Sequence, residues 1–277
     1  MEKLIDLHTH SNKSDGSYSP SELVMYAKKH SLSAIALTDH DTVDGVKEAV
    51  LAGKKENIEV VSGIELSAKS KTETHILGYF IDISNENLQK ELAGIKKVRL
   101  ERNKEVEHNL QKMGFEVSLA EAERLSGGGI VGRAHFARVM MDKGYVKSVK
   151  DAFDKYLSSG KGGYSSNQKI TPEQAVEIIK NAGGKAFAAH LHLMKRTDDD
   201  LFDFLKSLKE AGLDGIEGFY TDYTFDMQKK YLDMAKRLDL LISGGTDFHG
   251  AMKPHIEIGT GYGSLKIPYS LLDNMRG

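Results

Sequence analysis

The chain has 277 residues, 40% of them apolar, and 38 basic against 40 acidic side chains leave a net charge of −2. That length allows one large α/β domain or two ordinary ones, and the charge balance argues against a broadly basic nucleic-acid surface while permitting a local positive cleft. The absence of cysteine excludes disulfides, iron–sulfur clusters and thiolate zinc sites, so any metal must be held by nitrogen and oxygen.

The opening Met-Glu-Lys-Leu-Ile-Asp has neither the basic nor the apolar region of a signal peptide, and no apolar run approaches the roughly 20 residues that cross a bilayer. A cytoplasmic protein with no membrane association and no obligatory protein partner is expected. Short runs of β character fall at residues 4–7, 34–37, 59–61, 76–80, 185–189, 214–216 and 240–242, mostly separated by helical patterns. Helix starts are explicit at Ser19-Pro20-Ser21-Glu22 and Thr171-Pro172-Glu173-Gln174, where a capping hydroxyl precedes proline and a side chain that reaches back. Strands alternating with helices imply βαβ units and a mainly parallel sheet, most simply closed or nearly closed into a barrel. The alternation stops over residues 95–165, read as a helical insertion between barrel segments 1–94 and 166–277. Its first, highly charged helix, around residues 96–112, is read as a solvated face, and the whole as packed on the barrel where it could form a lid.

Potential ligands follow the strand runs: His8 and His10, Asp39 and His40, Glu65, His190, then Asp247 and His249. In a parallel barrel the strand ends converge on one face, so topology alone gathers such residues. His75 precedes its run, so either that strand runs in the opposite sense or the residue lies on an entering loop. Alternation in His8-Thr9-His10 puts both rings on one side of an extended segment. Sulfur-free imidazole and carboxylate ligands suit zinc, manganese or iron. Each residue also has a plainer reading. Asp15 in Ser14-Asp15-Gly16 would alone be a turn former, and Asp39 and Asp41 would orient imidazoles or cap a helix near Thr42. Phe219 and Tyr220 could stack on a base but more often pack in a core, and Lys161 suits a solvated loop as well as a phosphate contact.

These motifs together resemble the PHP family, named for its polymerase and histidinol phosphatase members: Asp6-Leu7-His8-Thr9-His10, Ser14-Asp15-Gly16, Thr38-Asp39-His40-Asp41, Gly63-Ile64-Glu65, His75, His190 and Asp247-Phe248-His249. The likeness runs from residue 3 to about residue 260. Gly132-Arg133-Ala134-His135-Phe136-Ala137-Arg138 is similar to a stretch of the stand-alone branch that carries a helical insertion. The resemblance implies a distorted (β/α)7 barrel holding three divalent ions. His8, His10, Glu65 and Asp247 would hold one, Glu65, His75 and His190 a second, and Asp15, His40 and His249 a third, with Glu65 bridging. It implies hydrolysis by metal-bound hydroxide, with Arg133 and His135 gripping phosphate. From their positions alone, Asp39 and His192 could support the site or donate a proton, although a solvent-exposed side chain is the commoner reading of His192. The substrate would be a phosphorylated small molecule, a nucleotide or the 5′ end of a short oligonucleotide. Histidinol-phosphate hydrolysis and a non-catalytic PHP module are the rivals. The family pattern usually places proline after the residue matching His190, whereas Leu191 and His192 follow here, which puts the local loop shape in question.

Overall fold

The computed structural model describes residues 3–69, 74–165 and 170–277. Seven strands form one sheet in sequence order: β1 (Ile5–Thr9), β2 (Ala34–Leu37), β3 (Glu59–Ala68), β4 (Thr74–Tyr79), β5 (Lys185–Ala188), β6 (Gly215–Tyr220) and β7 (Leu241–Gly245). Between and beyond them lie α1 (Pro20–Lys29), α2 (Val46–Glu56), α3 (Glu86–Lys112), α4 (Leu119–Ser126), α5 (Arg133–Asp142), α6 (Val149–Ala152), α7 (Pro172–Asn181), α8 (Asp198–Glu210), α9 (Phe225–Arg237) and α10 (Ser270–Arg276). The helix starts expected at Ser19 and Thr171 are both capping boxes with proline in the first turn.

All strand pairs are parallel except β3–β4 and β4–β5. Only five residues separate Ala68 from Thr74, too few for the crossover of about a dozen that a parallel neighbour needs. The reversed β4 therefore brings its first residues, and His75 with them, to the rim where the other strands end. The circle is nearly closed: His10 N–H donates to Phe248 O at 2.9 Å and Phe248 N–H to His8 O at 3.3 Å. Gly245 makes that approach possible, because a Cβ there would stand 2.2 Å from the His8 Cβ.

Alternating strand residues serve two layers. Ile5, Leu7, Ala34, Ala36, Leu77 and Phe187 fill the barrel, while Ile35, Leu37, Ile64, Ile76 and Ile216 pack outward under the helices. The β1–β2 register slips between Asp6 and Thr9, and that extra residue lets Leu7 and His8, neighbours in sequence, both turn toward the barrel axis. A second slip lies between Glu217 and Phe219 in β6.

The region between β4 and β5 is helical and has its own apolar cluster, including Val106, Leu110, Phe136, Met140 and Leu157. α3 starts at Glu86, capped by Asn85, and crosses residues 94 and 95 without a break, so the insertion boundary expected there falls inside a helix. Its other boundary borders residues 166–169, outside the described residues. The solvated-face reading suits Lys96, Lys97, Glu101 and Lys104 but not Arg99 and Arg102, which are buried. Among the described residues no helix is long and apolar enough to cross a membrane.

Candidate metal centre

The barrel rim brings three groups of potential ligands together: His8, His10, Glu65 and Asp247; His10, Asp15, His40 and His249; and His40, Glu65 and His75. Glu65, fully buried in β3, lies at the middle. Its Oε2 is 3.3 Å from both His8 Nε2 and His10 Nε2 and 3.0 Å from His40 Nδ1, while its Oε1 is 2.8 Å from His75 Nδ1 and 2.9 Å from His190 Nε2. His190 thus reaches the same carboxylate although it belongs to none of the three groups. Asp247 Oδ1 completes the first group, 3.5 Å from His8 Nε2 and 3.2 Å from His10 Nε2. On the other side His249 Nε2 is 3.2 Å from Asp15 Oδ1, and His40 Nε2 is 3.9 Å from Asp15 Oδ2.

The donor set fits divalent ions. Neighbouring donors in the first group stand 3.2–3.5 Å apart, the edge of a tetrahedron whose corners lie about 2.0–2.1 Å from its centre, the distance at which nitrogen and oxygen bind zinc. His8 Nε2, His10 Nε2, His40 Nδ1, Asp15 Oδ1 and Glu65 Oε2 are buried with no hydrogen-bond partner among the described residues. Groups so placed are costly unless a cation satisfies them. Burial opposes charge throughout the cluster, yet the rings of His40, His8 and His75 hold Glu65 well below the usual carboxylate range, and His249 and His40 do the same for Asp15. Burial pulls His10 down, but Asp247 and Glu65 carry it up to about 9, whereas burial prevails at His40 and His249, which lie below the ordinary imidazole value.

A surrounding layer aims these groups. Glu217 Oε1 is 2.8 Å from His8 Nδ1, which leaves Nε2 facing the cluster, and Glu217 Oε2 accepts the His190 N–H at 2.6 Å. Asp247 Oδ2 accepts from Tyr220 Oη at 2.9 Å and Lys253 Nζ at 2.5 Å, so Oδ1 is the oxygen turned to the histidines. Asp39 accepts from Ser11 N–H, Ser11 Oγ and Ser14 Oγ, fixing the loop that carries Asp15. Asp41 is bound by Arg99. Asp39 thus holds Ser11 and Ser14, and Asp41 holds Arg99 and the Ser67 N–H. The chain after β5 makes a tight turn in which Leu191 N–H donates to Tyr223 Oη at 2.8 Å, a bond that proline at 191 could not make.

A cavity of about 660 Å³ lies over the centre, with Glu65, His75 and Asp247 on its floor and Arg99, Arg102 and Arg133 on the wall that the insertion supplies. Arg133 Nη1 donates to Leu157 O at 3.1 Å, and its guanidinium lies over the rings of Tyr164 and Phe153. His135 is buried and accepts the Gly132 N–H at 3.0 Å, which closes the start of α5; it does not line the cavity. His192 is half-buried against Tyr220 and Tyr223 instead of solvated, and Lys161 is exposed away from the cavity. Tyr220 faces Asp247, while Phe219 packs with the barrel interior. Glu217, Lys253, Tyr223, Arg99 and Arg102 carried no functional assignment in the sequence. Glu217 alone had a usable signal, a carboxylate just after the run at 214–216.

Residues 6–236 match the PHP domain model. The chain is 37% identical over 251 residues to a 3′,5′-nucleoside bisphosphate phosphatase of Chromobacterium violaceum, covering 88% of this chain and 87% of the relative. It is 34% identical over 250 residues to a 5′-3′ exoribonuclease of Haemophilus influenzae, covering 90% and 91%. Among solved structures, a predicted metal-dependent phosphoesterase from Bifidobacterium adolescentis superposes with a TM-score of 0.87 at 27% identity, over 99% of this chain and 95% of the other.

Proposed function

The chain belongs to the PHP domain family, and from that membership we propose that it is a metal-dependent phosphoesterase hydrolysing phosphate esters of nucleotides or the 5′ end of short oligonucleotides. The observation that carries this reading is the convergence, beneath an arginine-lined cavity, of buried nitrogen and oxygen atoms of His8, His10, His40, Asp15 and Glu65 that have no hydrogen-bond partner among the described residues. We assign His8, His10, Glu65 and Asp247 to one ion, Glu65, His75 and His190 to a second, and Asp15, His40 and His249 to a third. The two oxygens of Glu65, each facing different imidazoles, support its bridging role. Manganese, iron or zinc held there would act as a Lewis acid and make water nucleophilic near neutral pH.

The chain's own side chains bind and orient. Glu217 fixes His8 and the backbone of His190, Tyr220 and Lys253 fix Asp247, and Arg133 supplies a bidentate donor for phosphate. Residues 95–165 act as a helical cover for the rim, supported by their separate apolar cluster and the arginines they place over the centre. Nucleotide substrates and a cysteine-free chain accord with a cytoplasmic enzyme. The test is phosphate release from adenosine monophosphate, adenosine 3′,5′-bisphosphate and histidinol phosphate with manganese present. Release from one or both nucleotides is expected, and activity on histidinol phosphate alone overturns the assignment.

A further inference from the structure

Six residues beyond Asp247, Lys253 follows the short turn Gly250–Met252 and lines the cavity over the centre. Its backbone is fixed: Ala251 N–H donates to Ser17 Oγ at 2.9 Å, Lys253 N–H to Gly250 O at 3.1 Å, and Ile256 N–H to Lys253 O at 3.0 Å. The ammonium carries three N–H donors, and among the described residues its partner is Asp247 Oδ2 at 2.5 Å. The side chain is 38% exposed, so its other donors are open to the cavity.

Other cations lining this cavity are paired away from the candidate ligands: Arg99 with Asp41, Arg138 with Asp142 and Lys150 with Asp154. Lys253 is paired with a candidate ligand, and that pairing does not account for it. Asp247 Oδ2 already accepts from Tyr220 Oη at 2.9 Å, while Oδ1 faces the histidines. Even two divalent ions outweigh the three carboxylates of the cluster, Asp15, Glu65 and Asp247. An added ammonium beside the loaded centre is therefore repelled unless negative charge develops next to it. Ester hydrolysis supplies such charge on the oxygen that leaves. His249 stands between Asp15 and Asp247, with Nε2 3.2 Å from the first and Nδ1 3.4 Å from the second. The insertion meets the Asp15 side, where a Cβ at Gly132 would lie 3.8 Å from Asp15 Oδ2, and Lys253 meets the Asp247 side.

We infer that Lys253 donates a hydrogen bond to the leaving ester oxygen and stabilises the charge that builds there as the P–O bond breaks. This role rests on the phosphoesterase reading above. The oxygen of water bonds to phosphorus, and the electron pair of the broken P–O bond stays on the leaving oxygen. One proton of that water ends on the same oxygen to give the alcohol, and Lys253 remains an ammonium throughout.

Lys253→Met keeps the length and removes the donors. In the manganese-saturated protein, kcat on adenosine monophosphate, whose leaving alkoxide is strongly basic, should fall on the order of 10²–10³-fold. Nitrophenolate leaves with little help, so the loss on p-nitrophenyl phosphate should be at least about 10-fold smaller. Lys253→Arg keeps the charge and N–H donors and should recover part of the rate on the nucleotide. Metal content by mass spectrometry at the same manganese should match the wild type, because Tyr220 still holds Asp247.

Equal losses on the two esters, or no loss on the nucleotide, would overturn the role. So would a loss that higher manganese abolishes, which would confine Lys253 to holding Asp247. If the wild type hydrolyses p-nitrophenyl phosphate but not the nucleotide, the nucleotide reading fails, and phenyl phosphate against p-nitrophenyl phosphate decides the lysine. A greater loss on phenyl phosphate upholds the role, and equal losses overturn it. Phosphate release from none of these esters would remove both the role and the phosphoesterase reading.

Discussion

Glu217→Gln exchanges a carboxylate with two acceptors for an amide with one acceptor and one donor, at a fully buried position where both oxygens are in use. One oxygen stands 2.8 Å from His8 Nδ1, and the other accepts the His190 N–H at 2.6 Å. With His8 Nε2 turned to the cluster, Nδ1 carries the proton, so both partners are donors. The amide can satisfy only one and must point its NH2 at the other. Losing one buried hydrogen bond and leaving a donor facing a donor costs about 1–3 kcal/mol. Replacing the partner of a metal-binding histidine typically weakens metal affinity about 10–100-fold, or about 1.4–2.8 kcal/mol, the same range reached from the other direction. The assay is metal content by mass spectrometry after equilibration at graded free manganese, with phosphate release from adenosine monophosphate followed in parallel. The midpoint of both curves should move to roughly 10- to 100-fold higher manganese, and activity should largely return at saturation. An unchanged midpoint would refute the idea that Glu217 aims the His8 ring.

Three further outcomes are expected. His10→Ala removes a ring shared by two ligand groups, so metal content should drop and phosphate release fall on the order of 10²–10³-fold; unchanged metal and rate would refute a role for His10 in the centre. Chelation should lower the melting temperature, because an ion present at about 100 times its dissociation constant stabilises the native state by about 2.7 kcal/mol, roughly 5–10 °C for a chain of this size; superimposable melting curves would deny a metal centre in the native fold. Leu191→Pro deletes the N–H that donates to Tyr223 Oη, whose own proton goes to Glu217 O at 3.2 Å. It should cost about 1 kcal/mol in a denaturant melt, and much less in a Tyr223→Phe background if the two act through one bond.

Much of the barrel was legible because its strands are buried on both faces and its helices start with strong local signals. Ser19 and Thr171 cap the helices they were expected to cap. What stayed hidden depended on partners distant in sequence. β3 continues to Ala68 past Ser62 and Gly63, which interrupt its apolar run. Gly63 is needed there because a Cβ would meet Leu37 O at 2.8 Å, a crowding no local pattern reveals. α3 was read as starting late because its first turns are polar and contain Gly94, although Asn85 already caps it. The direction of β4 was left open by the position of His75 and is settled by the short link to β3.

At the candidate site, residue types were easier to find than their jobs. Most of the proposed ligands could be listed because they stand where a strand meets the rim, whereas Asp15, in the loop after β1, was found through the family resemblance. Glu217 reaches His8 across 209 residues, and Arg102 resembles any charged residue on a polar helix until α3 packs over the barrel rim. His135 shows the converse, since a side chain that looked suited to phosphate closes its own helix. Backbone conformation was the least visible part. His190 at φ 26° and Asp247 at φ 57° both occupy the left-handed region that side chains other than glycine disfavour. Such strain persists only where the surroundings over-determine it. Glu217 and Tyr223 hold the backbone at His190 and Leu191, while Tyr220 and Lys253 hold the Asp247 carboxylate. The residues around the cluster thus do more than orient imidazoles: they keep two proposed ligands in conformations the chain would otherwise leave.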